Sequence, residues 1–409
     1  MKQHILRRAL VLAAVCCAAP LNALDYGGSL TSSAEISGHI NPYHDQVFKF
    51  GGIGWISSPL NKANTMDINA QLSVSEKLTT TFSQGIDETL DARWLKYLTP
   101  DIDLLKFNYR QPFWDGGTLA FSAGRFQYFD ATAQVFAQNC DGMLLQLNTD
   151  NVRGSFYIGY TGLLNQKKVS MLDMDGKNYR VAGEEKEEWY EAYYSPADPY
   201  YVQAVSVTFP YLFLNQSLGF DFNMFIGTYS PFRTNINYNR YYATINMTGA
   251  LVQNLYYTFS TTFQTEEFVG TGNMTQLSFT YYPEKLSSSV SLNALYASGN
   301  NNGPFSRFRG FTSNSISYSR YAPEMSGALK LGTYVTLKPL RELFLGVGTD
   351  FLFACPDDDI RYDGWQMYAN FKLQCTTDFQ ISITDFFYRG FRSRDPDNHG
   401  VVVKATMSF

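Results

Sequence analysis

The chain has 409 residues, a formal net charge of −5, 16 % aromatic side chains and only 17 % charged ones. The acidic balance excludes the basic surface that a nucleic-acid partner requires, and the charged fraction lies below the ~25 % of ordinary soluble domains. Beyond the N-terminal segment only Cys140, Cys355 and Cys375 remain, too few for a disulfide framework, and His39, His44 and His399 are too scattered for a metal cluster.

The N-terminus comes first in chain order. Lys2, Arg7 and Arg8 precede the apolar run ALVLAAVCCAAPL, and a small residue stands before Leu24. This is the pattern of a secretory signal peptide over residues 1–23, which leaves 24–409 as a single domain. An anchor helix is the competing reading, but the run falls short of the ~20 apolar residues a bilayer needs. Lipid modification at Cys16 or Cys17 is a third, although Ala13, Ala14 and Val15 lack the leucine usual before such a cysteine.

From there the chain alternates with a period of two. Met66, Ile68, Ala70, Leu72 and Val74 interleave with Asp67, Asn69, Gln71 and Ser73. Leu218, Phe220, Phe222, Met224 and Ile226 behave likewise, as do Trp365, Met367, Ala369, Phe371 and Leu373. The last such segment is Val401, Val403, Ala405, Met407 and Phe409, which ends the chain on an aromatic ring. Strands with one apolar and one polar face account for this pattern. A soluble β-sandwich also alternates, but these segments exceed its usual ~5–6 residues and match the ~9–11 of a tilted membrane-crossing strand. The polar parity is mostly Ser, Thr, Asn, Gln, Gly and Tyr, which suits a hydrated interior.

Connection lengths alternate too. Tight links such as GALVQNL, LKPLREL and QCTTDF are interleaved with longer ones such as TEEFVGTG, CPDDDIRYDG and RGFRSRDPDN. That parity puts the short turns and the C-terminus at one end of a barrel and the long loops at the other. Counting gives eleven strands from Tyr201 onward and seven to nine before it. The expected fold is an all-β, antiparallel up-and-down transmembrane barrel of about eighteen strands, within sixteen to twenty. Aromatic doublets at Tyr200-Tyr201, Tyr241-Tyr242, Tyr256-Tyr257, Tyr281-Tyr282 and Phe386-Phe387-Tyr388 are expected to form interfacial girdles.

If the apolar parity faces lipid, Lys106, Arg110, Arg153, Arg240, Lys330, Lys372 and Lys404 point inward, against Asp67, Asp221 and Asp350. These are the candidate pore-lining residues, and their excess of positive charge favours anionic solutes. The alternative is that they only hydrate the lumen and pair with one another. Arg125 shares parity with the apolar Leu119, Phe121 and Ala123, which puts it at a rim or past a bulge, or else signals a one-residue error in this register. The long links 163–199 and 298–325 are candidates to fold inward; mobile surface loops are the other reading. Cys140 and Cys355 belong at the long-loop end and Cys375 in a short turn, so Cys355 and Cys375 cannot pair. No catalytic motif such as GxSxG or HExxH occurs, and the clusters Asp357–Asp359 and Asp395, Asp397, His399 read as solvated loops. No enzyme, metal or cofactor is expected.

With signal segment, strands and terminal Phe409 together, the chain resembles bacterial outer-membrane β-barrels of the porin class. The segment LAFSAGRFQYFDATAQVFAQNCDGMLLQL is similar to the GRQ…D…DG strand-loop-strand of alginate-export and OprD-like eighteen-stranded channels, through Gly124, Arg125, Asp130, Asp141 and Gly142. Phe126 departs from that pattern. The resemblance implies a channel in the outer membrane for passive diffusion of small hydrophilic solutes. It also implies a monomer or homotrimer surrounded by lipid, with Phe409 as the signal read by the barrel-assembly machinery. The alternative function is an adhesin or ligand-binding surface barrel with a plugged lumen.

Overall fold

The computed structural model describes residues 24–39, 43–84, 90–165, 168–172, 194, 196–213, 215–228, 239–267, 270–284, 287–299, 305–312, 326–355, 360–391 and 397–409. The strands are β1 (Asp25–His39), β2 (Tyr43–Pro59), β3 (Met66–Gln84), β4 (Leu90–Pro112), β5 (Thr118–Phe129), β6 (Ala137–Asn148), β7 (Arg153–Tyr160), β8 (Tyr200–Phe213) and β9 (Gln216–Gly227). They continue with β10 (Arg240–Val252), β11 (Leu255–Glu266), β12 (Gly270–Tyr281), β13 (Ser288–Ala297), β14 (Ala328–Leu337), β15 (Leu343–Ala354), β16 (Arg361–Gln374), β17 (Phe379–Gly390) and β18 (Asn398–Ser408).

Each strand pairs antiparallel with its two sequence neighbours, and β1 pairs with β18, so the eighteen strands close into one barrel without an edge. The start of β1 and the end of β18 lie at one end, here the terminus end. The links there span residues 60–65, 113–117, 149–152, 214–215, 253–254, 282–287, 338–342 and 375–378. Asn64, Asn215 and Asn254 supply the left-handed conformation in three of these turns, with φ of 52°, 60° and 65°, which Asn tolerates through local hydrogen bonding. The long links 161–199 and 298–327 lie at the opposite end. The β11–β12 link there is only 267–269, shorter than the TEEFVGTG stretch suggests, because Thr265 and Glu266 continue the ladder against Thr271 and Gly270.

Alternation separates two faces. Leu72, Val74, Met143, Leu145, Phe220, Phe222, Leu292, Val347, Phe351, Val403 and Met407 stand exposed on the outside. An apolar wall of this extent cannot face water in a soluble monomer. Inside, Asp221, Asn223, Thr244, Thr262, Gln264, Asp350 and Gln366 are buried. The aromatic doublets straddle this divide: Tyr200 is 2 % exposed and Tyr201 50 %. Adjacent residues point to opposite faces, so each doublet gives only one ring to an outer girdle. Outer rings toward the terminus end are Tyr26, Tyr281 and Phe409, whereas Tyr256 shares the inner face with Gln264 and Glu266 and meets Tyr282 with centroids 5.7 Å apart.

Phe409 closes the seam. Its backbone exchanges hydrogen bonds with Gly28, N to O at 3.0 Å and O from N at 2.9 Å. Its ring lies over Gly28, where an added Cβ would sit 2.7 Å from Phe409 Cζ. Deleting Phe409 removes both bonds and the ring cover. The expected cost is about 2–4 kcal/mol, read as a lowered urea midpoint for the barrel refolded in lipid vesicles, with Phe409→Leu in between.

Candidate functional site

The barrel interior holds two different environments. On the β5–β13 side it is filled near the long-loop end by an apolar cluster built from strands and loops. Phe126, Tyr128, Tyr157, Tyr200, Phe225 and Tyr242 project from strands, and Val135, Phe136, Leu164, Met171, Phe308 and Phe311 come from the loops. Phe311 stacks on Phe225 with centroids 4.0 Å apart, and Tyr128 stacks on Tyr157 at 4.1 Å. Segments of both long links thus reach into the barrel. Met171 and Thr312 form a bridge between them, and Phe311 and Thr312 donate their N–H groups to Val135 O at 2.9 Å. The acidic run Glu184–Glu188 and Arg320 lie outside the described residues.

The Gly124-Arg125 and Asp141-Gly142 pairs hold this loop architecture in place. Arg125 faces outward beside a bulge, where the β3–β4 register shifts and Asp103 becomes the extra residue. Gly124 has a φ of 120° there, and a Cβ would strike Leu105 O. Arg125 lies directly opposite Asp141 and grips it bidentately, Nε to Oδ1 at 2.8 Å and Nη2 to Oδ2 at 2.7 Å. Its remaining donors reach Ile102 O at 3.2 Å and Leu163 O at 2.7 Å. The guanidinium therefore staples β4, β6 and the β7–β8 loop at the point where β4 leaves β5. Asp130 serves the β5–β6 loop: its carboxylate accepts the N–H groups of Thr132, Val135 and Phe136 at 2.9, 3.0 and 2.7 Å. Burial raises its carboxyl above the ordinary carboxylate range, against the lowering by those donors. Asp221 of β9 holds the same loop by accepting Ala131 N–H at 2.9 Å and Asn223 Nδ2 at 2.8 Å.

The other charged candidates divide by partner. Arg240 and Glu266 face each other across β10 and β11 at 3.1 Å, both almost fully buried. Arg110 lies 4.0 Å from Asp67, which accepts Asn108 Nδ2 at 2.6 Å. Lys106 Nζ stands 4.9 Å above the Phe126 ring, and Arg153 is exposed at the terminus-end start of β7. Asp350 accepts Gln366 Nε2 at 2.5 Å. Lys330 projects into the recess beside it. His399 Nε2 contacts Asp385 Oδ1 at 2.9 Å on the outer face, while Asp395 and Asp357–Asp359 lie outside the described residues. The described cysteines are free, with Cys140 and Cys355 buried toward the long-loop end and Cys375 exposed in a terminus-end turn.

Register reveals an arrangement that parity does not. Lys372 pairs with Ser382, Ser382 with Lys404, Lys404 with Ser33, Ser33 with Lys49, and Lys49 with Lys77. These six inward positions form one row across β16, β17, β18, β1, β2 and β3, and its four lysines are exposed. Five steps of ~4.8 Å at a strand tilt of ~40° make the row climb roughly 15 Å along the barrel axis. It runs from near the terminus-end limit of β16 to beyond the middle of β3. Like charges directly opposite, as at Lys49 and Lys77, oppose sheet formation. Glu35 offsets part of this by pairing with Lys49 at 3.5 Å. Lys49 and Lys77 escape a reading by parity because Val47, itself apolar, shares their face.

The sequence matches no protein-family model and no curated protein. The fold is similar to that of OccK7 (OpdD) of Pseudomonas aeruginosa, with a TM-score of 0.60 at 11 % identity over 95 % of this chain and 99 % of that one. It is also similar to the outer membrane protein opdK of the same organism, with a TM-score of 0.54 at 9 % identity over 94 % and 99 % of the two chains. A variant of OccD1 (OprD) aligns with a TM-score of 0.51 at 12 % identity over 94 % and 95 %. At the level of the fold, the expectation of an OprD-like barrel is met.

Phe311→Ala should cost about 3–5 kcal/mol of loop docking and free both long links at once, read as new protease cuts within 298–327 in the vesicle-embedded barrel. Since a carboxyl raised on closure holds its proton more tightly in the closed state, mild acidification should leave the Asp130 turn closed and those cuts unchanged.

Proposed function

We propose that the chain is an outer-membrane channel for passive diffusion of small hydrophilic solutes, with a preference for anions. The observation that carries the reading is the lysine row on the inner wall. Removing Lys77 opposite Lys49 would relieve repulsion in the sheet, so the pair persists for a reason other than stability. A slanted line of ammonium groups offers an anion successive sites along the wall, each weak enough to leave. The inward carboxylates cancel only part of it: Glu35 pairs with Lys49, while Glu266 is engaged by Arg240 and Asp221 holds a loop.

The rest of the reading follows from the two faces. The exposed apolar outside calls for lipid, and the rings at the terminus end suit its inner interface. Residues 1–23 would direct export as a signal peptide. The turns and termini would then face the periplasm and the long links the exterior. Phe409 would serve as the address for the barrel-assembly machinery, in a monomer or homotrimer. No chemistry on a substrate is proposed. The aromatic cluster favours a second reading, a plugged surface barrel that binds a ligand or a host surface outside.

Single-channel recording in planar bilayers separates the two. The channel reading expects steady current and, in asymmetric KCl, a reversal potential on the anion side. Lys49→Glu combined with Lys77→Glu should move the permeability ratio severalfold toward cations. Insertion without conductance at any voltage favours the plugged barrel.

A further inference from the structure

Beside the aromatic cluster, with Leu295 common to both, the inner wall of β14–β16 is hollowed. Inward positions Gly332, Gly346 and Gly348 carry no side chain, and a recess of about 530 Å³ opens there. Such a volume falls within the ~300–1,000 Å³ of small-molecule pockets. Tyr334 of β14 and Tyr368 of β16 both pair with Gly348 of β15. A Cβ at Gly348 would fall on the Tyr368 ring, and one at Gly346 on Tyr334 Oη. Each ring therefore lies flat along the wall over the bare strand between them. Their centroids are 5.7 Å apart and their planes 25° from parallel, an offset stacked pair at the wall of the recess. Both tyrosines are half-buried and line the recess.

The surroundings of this pair are hydrogen-bonding and close to neutral. Gln276, Asn293 and Asn370 line the recess, with Asn293 Oδ1 accepting Ser278 Oγ at 2.7 Å and Asn370 Oδ1 accepting Thr384 Oγ1 at 2.8 Å. The amide nitrogens of both asparagines remain as donors. Lys330 and Asp350 contribute one charge of each sign, and Gln134 reaches in from the β5–β6 loop.

We infer that this recess is a binding subsite for a pyranose sugar, a deepening that rests on the channel reading. A flat aromatic face takes the apolar C–H side of a sugar ring by dispersion and CH–π contact. Amides and a carboxylate at its margin match the equatorial hydroxyls, which need both donors and acceptors. A simple anion would use Lys330 but meet Asp350, and a simple cation the reverse. A neutral polyhydroxylated ring suits the whole set.

The test uses the intact protein in planar bilayers with maltotriose, and a polyethylene glycol of matched size as control. The expected result is brief current interruptions whose frequency rises with maltotriose concentration, absent with the polymer. Tyr334→Leu with Tyr368→Leu should shorten the interruptions about tenfold while open conductance persists, and Tyr368→Phe, which keeps the ring, should retain them. Heat-modifiable gel mobility establishes that each variant folds. Normal conductance with no maltotriose effect beyond that of the polymer, or interruptions indifferent to loss of both rings, overturns the subsite and leaves the channel standing. If the barrel conducts nothing, the channel reading falls instead. The subsite is then decided by fluorescence titration of the detergent-folded protein with maltotriose, where a saturable change lost in the double variant sustains it and none overturns it.

Discussion

Closure of the backbone hydrogen-bond ladder governs everything else in this molecule. A sheet whose outer face is apolar cannot leave an unpaired edge in a medium without water, since each orphaned N–H or C=O costs several kcal/mol. The β1–β18 ladder from Ser29–Ser408 to His39–Asn398 removes that edge. Phe409 extends it by one more pair at the end where the strands would otherwise fray. Once the ring is closed, the period of two has only one meaning. One parity faces outward and must be apolar; the other faces a shared interior and is free to carry chemistry.

The interior uses that freedom unevenly. On the β5–β13 side it behaves like the core of a soluble domain, with stacked aromatics and loops sealed by Arg125, Asp130 and Asp221. Around the rest of the wall, beginning at the recess that borders the cluster, lysines, amides and glycines leave a hydrated surface. The asymmetry has a physical logic. Loops that must hold a fixed shape inside a wide barrel need an apolar anchor, and the cluster supplies it. Gln134, on a loop tied down by Asp130, is the point where the two halves meet at the recess.

Much of this was legible in the sequence because strand alternation is local. The parity that sends Val403 outward and Lys404 inward can be read from the last nine residues alone, and the eleven strands after Tyr201 follow from the same rule. What resisted reading was non-local. The lysine row exists only because six strands share one register, and register depends on turns and bulges whose effects accumulate around the barrel. Gly346 and Gly348 look like weak strand residues until Tyr334 and Tyr368 are seen to lie across them. Arg125 breaks the apolar parity, and the break has a cause in the bulge at Asp103 on another strand. The aromatic doublets misled for the opposite reason: the alternation that defines the strands also sends their two rings to opposite faces.

The central claim is that the lysine-bearing parity faces water inside a closed barrel while its neighbours face lipid. Single cysteines at adjacent positions of β18, in a Cys375→Ser background, test it most directly. With the protein in lipid vesicles, Lys404→Cys should react rapidly with a charged, water-soluble maleimide. Val403→Cys should resist that reagent and, carrying a fluorophore, be quenched by lipid-borne quenchers. The reverse pattern, Val403→Cys labelled from water and Lys404→Cys reached only from lipid, would contradict the assignment of the two faces and the lysine row with it.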